Sequence, residues 1–357
     1  MITINTISEL LTLSVSQFRI YDIGRIITKI SKSDFSKIEL NQLPYPFPSQ
    51  DHACIAIVFW QKKSLEPYLW FVKIPLDERG LLNQAALSHF IAIIVEALGL
   101  EINTQHNKTN LTLTPTAQQE ELLKSNPYHF TPAQYKLAAL NSIVKVELKQ
   151  LPSQHYQYCL DYIKGNLGWK NWHNVAIQGI ADVAARLDQD NNACLLTQHL
   201  TNLPEQVLLP LCGTLENQNL PLELIDALIK CFEQNAQNSL LQQHLLRALA
   251  ASSTHIHVKT LISQLLSPTN NKENRVNDDL LIVISGRCWL ALQEGDLLMR
   301  FLEKLVQAQD NTLFAAIFKD LIAIPTIRPM LFTCMRQPNR SDALARAIGQ
   351  LFNQLRA

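Results

Sequence analysis

Beyond Pro152 the chain repeats one pattern, apolar residues at the three-and-four spacing of a single helix face. Ile225, Leu228, Ile229 and Phe232 form one such stripe, and Leu241, Leu245, Leu246 and Leu249 form another. The spacing predicts helices over about 154–164, 171–188, 191–202, 204–217, 221–235, 237–252, 255–266, 277–292, 295–309, 311–323, 325–335 and 339–356. The starts at 171, 204, 237, 277 and 311 lie 33, 33, 40 and 34 residues apart, and the longest interval holds the polar loop Ser267 to Asp279. A pair of helices with one apolar face cannot bury that face alone, so successive pairs must stack.

The expected fold class follows: an α+β N-terminal domain over 1–152, then an all-α array of helix hairpins over 153–357. Tetratricopeptide and ankyrin consensus residues are absent, which leaves a degenerate HEAT-like α-α superhelix as the nearest description. A compact all-helical domain is the rival. At 357 residues the chain exceeds what one hydrophobic core holds.

Before Pro152 the pattern is mixed. Thr6 and Glu9 have capping-box spacing and start a short helix to about Gln17, and β-branched residues from Phe18 to Ile30 favour strand around Gly24. Pro44, Pro46 and Pro48 then interrupt any regular element. Ala53 to Trp60 and Tyr68 to Ile74 read as an antiparallel hairpin joined by a polar loop, buried on both faces or against a helix. Gln84 to Leu98, stopped at Gly99, supplies a covering helix. Leu111 and Leu113, alternating with Thr112 and Thr114, read as an edge strand. Thr114-Pro115 and Thr131-Pro132-Ala133-Gln134 are helix starts, the second with capping-box spacing.

Charge excludes little and favours little. Lys and Arg total 31, as do Asp and Glu, and neither half hides a surplus, so nothing global points to a nucleic-acid backbone. The exception is the C-terminal end, where Arg328, Arg336, Arg340, Arg346 and Arg356 face only Asp342. Helix dipole and solubility account for them; a nucleic-acid or other anion contact through Arg336, Arg340 and Arg346 is the alternative. The first residues do not read as a secretion signal, and no run reaches the roughly 18 apolar residues a membrane span needs. Seven scattered cysteines, none closer than 18 residues to another, read as small core hydrophobes in a reducing compartment, so the expected location is the cytoplasm.

Motifs for chemistry are missing. No glycine-rich phosphate loop, GxSxG elbow, HExxH or Cys/His cluster occurs, so neither cofactor nor metal is expected. The close histidines His255 and His257 suit surface or capping roles better than coordination. Asp22 and Arg25 around Gly24, Asp51 and His52, and Asp77, Glu78 and Arg79 could do proton transfer if they met in a cleft. Turn-forming acids and solvated ion pairs account for the same letters. Aromatics are the better recognition candidates: Tyr45 and Phe47 among the prolines, and Trp169, Trp172 and His173 where the array begins. Core filling and packing between domains is the plainer reading of these.

Tyr21-Asp22-Ile23-Gly24-Arg25, Pro44-Tyr45-Pro46-Phe47-Pro48, Val58-Phe59-Trp60, Trp70 to Glu78 and Asn174 to Asp182 together resemble a family of uncharacterised bacterial proteins of similar length. The family is a domain of unknown function. The resemblance implies a bacterial cytoplasmic protein whose two segments belong together, and no substrate, cofactor or catalytic residue.

The expected function is therefore a protein-protein interaction adaptor or scaffold, since stacked helix pairs make extended binding surfaces. Its partner is another protein rather than nucleic acid or membrane. The alternatives are an enzyme of unfamiliar type built on Asp22, His52, Asp77 and Glu78, and nucleic-acid binding through the arginine-rich end.

Overall fold

A computed structural model describes residues 4–14, 16–60, 67–97, 125–267, 277–310 and 312–354. The chain is mostly helical, with a small four-stranded antiparallel sheet near the N-terminus. It divides into two compact units, Met1–Pro132 with Ala323–Pro325, and Ala133–Ile322 with Thr326–Ala357.

The first unit runs α1 (Ile7–Leu13), β1 (Gln17–Asp22), β2 (Thr28–Ile30), α2 (Lys32–Glu39), β3 (His52–Trp60), β4 (Tyr68–Pro75) and α3 (Gln84–Ala97). The sheet order is β2-β1-β3-β4, and Ile57 of β3 stands opposite Ile20 on one side and Trp70 on the other. Successive side chains of a strand alternate between faces. Ala53, Ile55, Ile57 and Phe59 join the core with Leu10 of α1, Phe35 of α2 and Phe90 of α3, while Cys54, Ala56 and Val58 on the opposite face are buried too. The hairpin and its covering helix are thus as the apolar runs predict. The capping box also forms, Thr6 Oγ1 accepting from the Glu9 amide at 3.0 Å and the Glu9 carboxylate from the Thr6 amide at 3.2 Å. The helix it opens ends at Leu13, because Gln17 already pairs with Trp60 in the sheet. The 110–114 edge strand, the Gly99 stop and the Thr114 start lie outside the described residues.

The second unit begins with α4 (Gln134–Glu147), so the division falls at Pro132 instead of Pro152. The reason is packing: α4 lies on α6 (Ile177–Ala184) and α8 (Glu205–Leu215). Its first helical residue is Gln134, which therefore cannot close a capping box with Thr131, and Ala133 caps without a side-chain bond. The remaining helices are α5 (Tyr156–Ile163), α7 (Asn192–His199), α9 (Leu222–Gln234), α10 (Ser239–Ala248), α11 (Ile256–Leu265), α12 (Asp278–Gly286), α13 (Gly295–Leu305), α14 (Leu313–Ala323), α15 (Arg328–Arg336) and α16 (Asp342–Gln354).

Alternate helices pack on one another. One succession is α4, α6, α8, α10 and α12; the other is α5, α7, α9 and α11, with α13 on α15 further along. Consecutive helices also approach closely, since a Cβ at Gly179 of α6 would sit 2.6 Å from the His155 carbonyl oxygen at the start of α5. The expected helix over 171–188 is broken: Trp169–Asn174 forms 3-10 turns, Val175 is extended, and α6 begins at Ile177. Between Lys170 and Asn174 only Trp172 is apolar, too little of a stripe to hold an α-helix in register.

Two buried charge clusters tie the helices together. Asp182, fully buried on α6, accepts from Ser142 Oγ of α4 at 2.8 Å and the Ser153 amide at 2.8 Å, and pairs with Arg186 at 3.1 Å. Glu216, just past α8, is equally buried and pairs with Arg247 of α10, whose Nη2 donates both to Glu216 Oε1 at 2.9 Å and to Tyr135 Oη of α4 at 2.6 Å. Arg287, following α12, comes within 3.5 Å of the same carboxylate. Such charges are tolerated in a core because each finds partners for its lone pairs or protons. No helix among the described residues is long and apolar enough to cross a membrane.

Candidate interaction groove

Helix α9 packs directly on α11, but between α11 and α13 a groove of about 320 Å3 opens. Ile256, Lys259, Thr260 and Ser263 line it from α11, and Glu294 and Arg300 from the other side. Each helix begins on polar residues: His255 caps α11, its ring accepting the His257 amide at 3.3 Å, and Glu294 precedes Gly295 at the start of α13. Val258, Leu261 and Ile262 bury one face of α11, and Leu297, Leu298, Phe301, Leu302 and Leu305 one face of α13. The groove faces are what remains.

Two polar bridges cross it. Lys259 Nζ lies 2.5 Å from Glu294 Oε1, and Arg300 donates to Ser263 Oγ at 2.9 Å. Beside it, His257 Nδ1 is 2.6 Å from Asp226 Oδ1 of α9. Ile256, the first residue of α11, is 66% exposed between these charges. Its apolar surface is open to solvent at the edge of the groove. Residue-by-residue reading missed this surface, although an aliphatic residue between two histidines at a helix start is a detectable irregularity.

A second cavity, about 480 Å3, lies between α1 and α2 and is lined by Ile4, Ser8, Thr12, Leu13, Ser36 and Leu40 among others. Its neighbour Glu39 is only 1% exposed and caps α1 from α2, accepting from the Ile7 amide at 2.6 Å and from the Ser8 amide and hydroxyl. Burial outweighs those bonds and raises the Glu39 pKa to about 7.

The aromatic candidates separate. Tyr45 is fully buried, its hydroxyl donating to Asp22 Oδ1 at 2.6 Å, so it is a core residue and offers no surface to a partner. Burial first, then Asp22, pushes its phenol well above the ordinary range. Phe47 is half-buried against the same core. Trp169 packs edge-on to Tyr162 at 5.7 Å and beside His199 at 5.6 Å, while Trp172 stacks on the exposed His173 at 3.8 Å. They do not form one helical face, because the segment is 3-10 and kinks at Asn171.

Asp22 and Arg25 are buried rather than solvated, and Asp22 is held by Tyr45. His52 Nδ1 is 2.6 Å from the Gln50 carbonyl. Asp77 accepts the Arg79 and Leu81 amides at 2.9 and 2.8 Å, turn bonds that lower its pKa against a desolvation penalty that raises it, and Glu78 is exposed. At the C-terminal end Arg336 and Arg346 are exposed, whereas Arg340 donates to the Met335 carbonyl at the end of α15. Among the described residues no three His, Cys, Asp or Glu side chains are grouped to hold a metal.

A family model described as "Protein of unknown function (DUF3549)" matches residues 2–352. Comparison with curated proteins and with solved structures gives no match.

Proposed function

We propose that this chain, which belongs to the DUF3549 family, is a cytoplasmic adaptor whose second unit is a HEAT-like array presenting the α11–α13 groove to another protein. The observation that carries the reading is Ile256, 66% exposed at the mouth of a groove between two helices that each bury one apolar face. Alternate-helix packing supports the array, because it is how a hairpin repeat shares its apolar faces. Cysteines that are free and, apart from Cys194, buried agree with a reducing compartment.

A photo-crosslinking amino acid at Ile256, in cells of the source organism, tests it. The expected result is one discrete adduct of higher mass that is absent when the same group replaces exposed Ser88 of α3. Equal labelling at both positions, or none at Ile256, would count against the adaptor reading.

A further inference from the structure

The groove is one side of a larger rim made by the first turns of α9, α11 and α13. Leu222 and Ile256 open α9 and α11 and are 45% and 66% exposed, although each is a large aliphatic side chain. Glu223 follows Leu222 on α9 and Asp226 lies one turn on, reaching His257 beside Ile256 at 2.6 Å, while Glu294 and Asp296 at the start of α13 line the groove together with Ile256. The helix dipole favours an acid at each N-terminus taken singly. It gives no reason for two exposed aliphatics between them. Two cations stand nearby, Lys259, paired with Glu294 at 2.5 Å, and Arg300, which donates to the neutral Ser263 hydroxyl at 2.9 Å and keeps its charge, so the four carboxylates outnumber them. The rim therefore offers apolar anchors inside negative charge.

We propose that this rim docks a basic amphipathic helix of another protein, its apolar stripe on Leu222 and Ile256 and its Lys or Arg side chains against Glu223 and Asp296. Helix-in-groove recognition reads anchors one turn apart, and complementary charge sets which helix is accepted. The sign of the charge turns away nucleic acid and other polyanions. The inference rests on the adaptor reading and adds the chemistry of the partner.

The test uses the full chain and three fluorescent synthetic helices sharing one leucine stripe, with Lys, Gln or Glu on the other face. By anisotropy the Lys peptide should bind about tenfold or more tighter than the Glu peptide, with the difference shrinking as salt rises. Ile256→Ser, and separately Glu223→Gln with Asp296→Asn, should each weaken the Lys peptide several-fold while leaving the urea midpoint unchanged. Equal binding of all three peptides, or indifference to Ile256→Ser, overturns the proposal. An adduct at Ile256 in cells together with no preference for the Lys peptide overturns this partner chemistry alone and leaves the adaptor reading standing.

Discussion

Lys259 of α11 reaches Glu294 at the start of α13, with 2.5 Å between ammonium nitrogen and carboxylate oxygen and 35 residues of chain between them. Similar intervals recur: 31 residues for Glu216 with Arg247 and for Asp226 with His257, 36 for Gln243 with Asp279, and 37 for Ser263 with Arg300. Polar partners sit about one helical hairpin apart because alternate helices are neighbours. An exposed pair of this kind contributes about 0–1 kcal/mol, so Lys259→Ala should barely move a urea midpoint.

The buried pair should behave differently. Asp182→Ala strands the guanidinium of Arg186, 2% exposed, and removes the acceptor of Ser142 and of the Ser153 amide. Loss of about 3–5 kcal/mol is expected, and Asp182→Leu with Arg186→Met should recover much of it. A single variant as stable as the parent in urea would show that the cluster is not what holds α4 to α6.

Glu39 gives a pH dependence with a definite sign. Its carboxyl, ordinarily near 4.5, is raised by burial to about 7 in the folded chain. Between those values the folded state holds a proton the unfolded state has lost, so the contribution of Glu39 to stability is fullest below about pH 4.5 and declines until about pH 7. The full decline is roughly 3 kcal/mol. Glu39→Gln should remove it, read as hydrogen-exchange protection in β3 corrected for intrinsic rates. A variant with the parent's pH profile would assign the decline to another group.

Two glycines should respond oppositely to alanine. At Gly179 the new methyl meets the His155 carbonyl at 2.6 Å and Cys159 Cβ at 3.0 Å, and a loss of about 1–3 kcal/mol is expected. At Gly286, in the last turn of α12, nothing lies within 4 Å, and stability should rise by about 0.4–1 kcal/mol. Urea midpoints moving in the same direction would contradict the packing described.

Thiol reactivity follows burial. Burial pushes the Cys159 and Cys288 thiols up to about 12 and Cys212 higher still, whereas Cys194 is exposed. In the native protein an aromatic disulfide reagent should titrate one thiol quickly, and all seven only after denaturation. Rapid reaction of several native thiols would mean the helices open more readily than their packing implies.

The helices were largely legible because apolar stripes report burial directly. Expected spans 204–217, 221–235 and 255–266 match Glu205–Leu215, Leu222–Gln234 and Ile256–Leu265 within a few residues. The break at Val175 was not legible, since Trp169 and Trp172 imitate a helical stripe that the intervening polar residues cannot sustain. Nor were the buried charges, because Asp182 or Glu216 on an amphipathic helix reads as solvated unless its partner is known. The recurrence held a clue: a residue such as Glu216 has its counterpart one hairpin on, and Arg247 stands there. The groove lay beyond reach, since it depends on the spacing of α11 and α13 and not on either stripe alone.

Zero-length carbodiimide coupling, which joins an amine to a carboxylate only when the two touch, tests most directly whether helices one hairpin apart are neighbours. In the native full-length chain the peptide containing Lys259 should be recovered by mass spectrometry joined to the peptide containing Glu294, and this product should vanish in Glu294→Gln. Recovery of Lys259 joined instead to carboxylates of the sheet unit, with no Glu294 product, would contradict the stacked array and the groove with it.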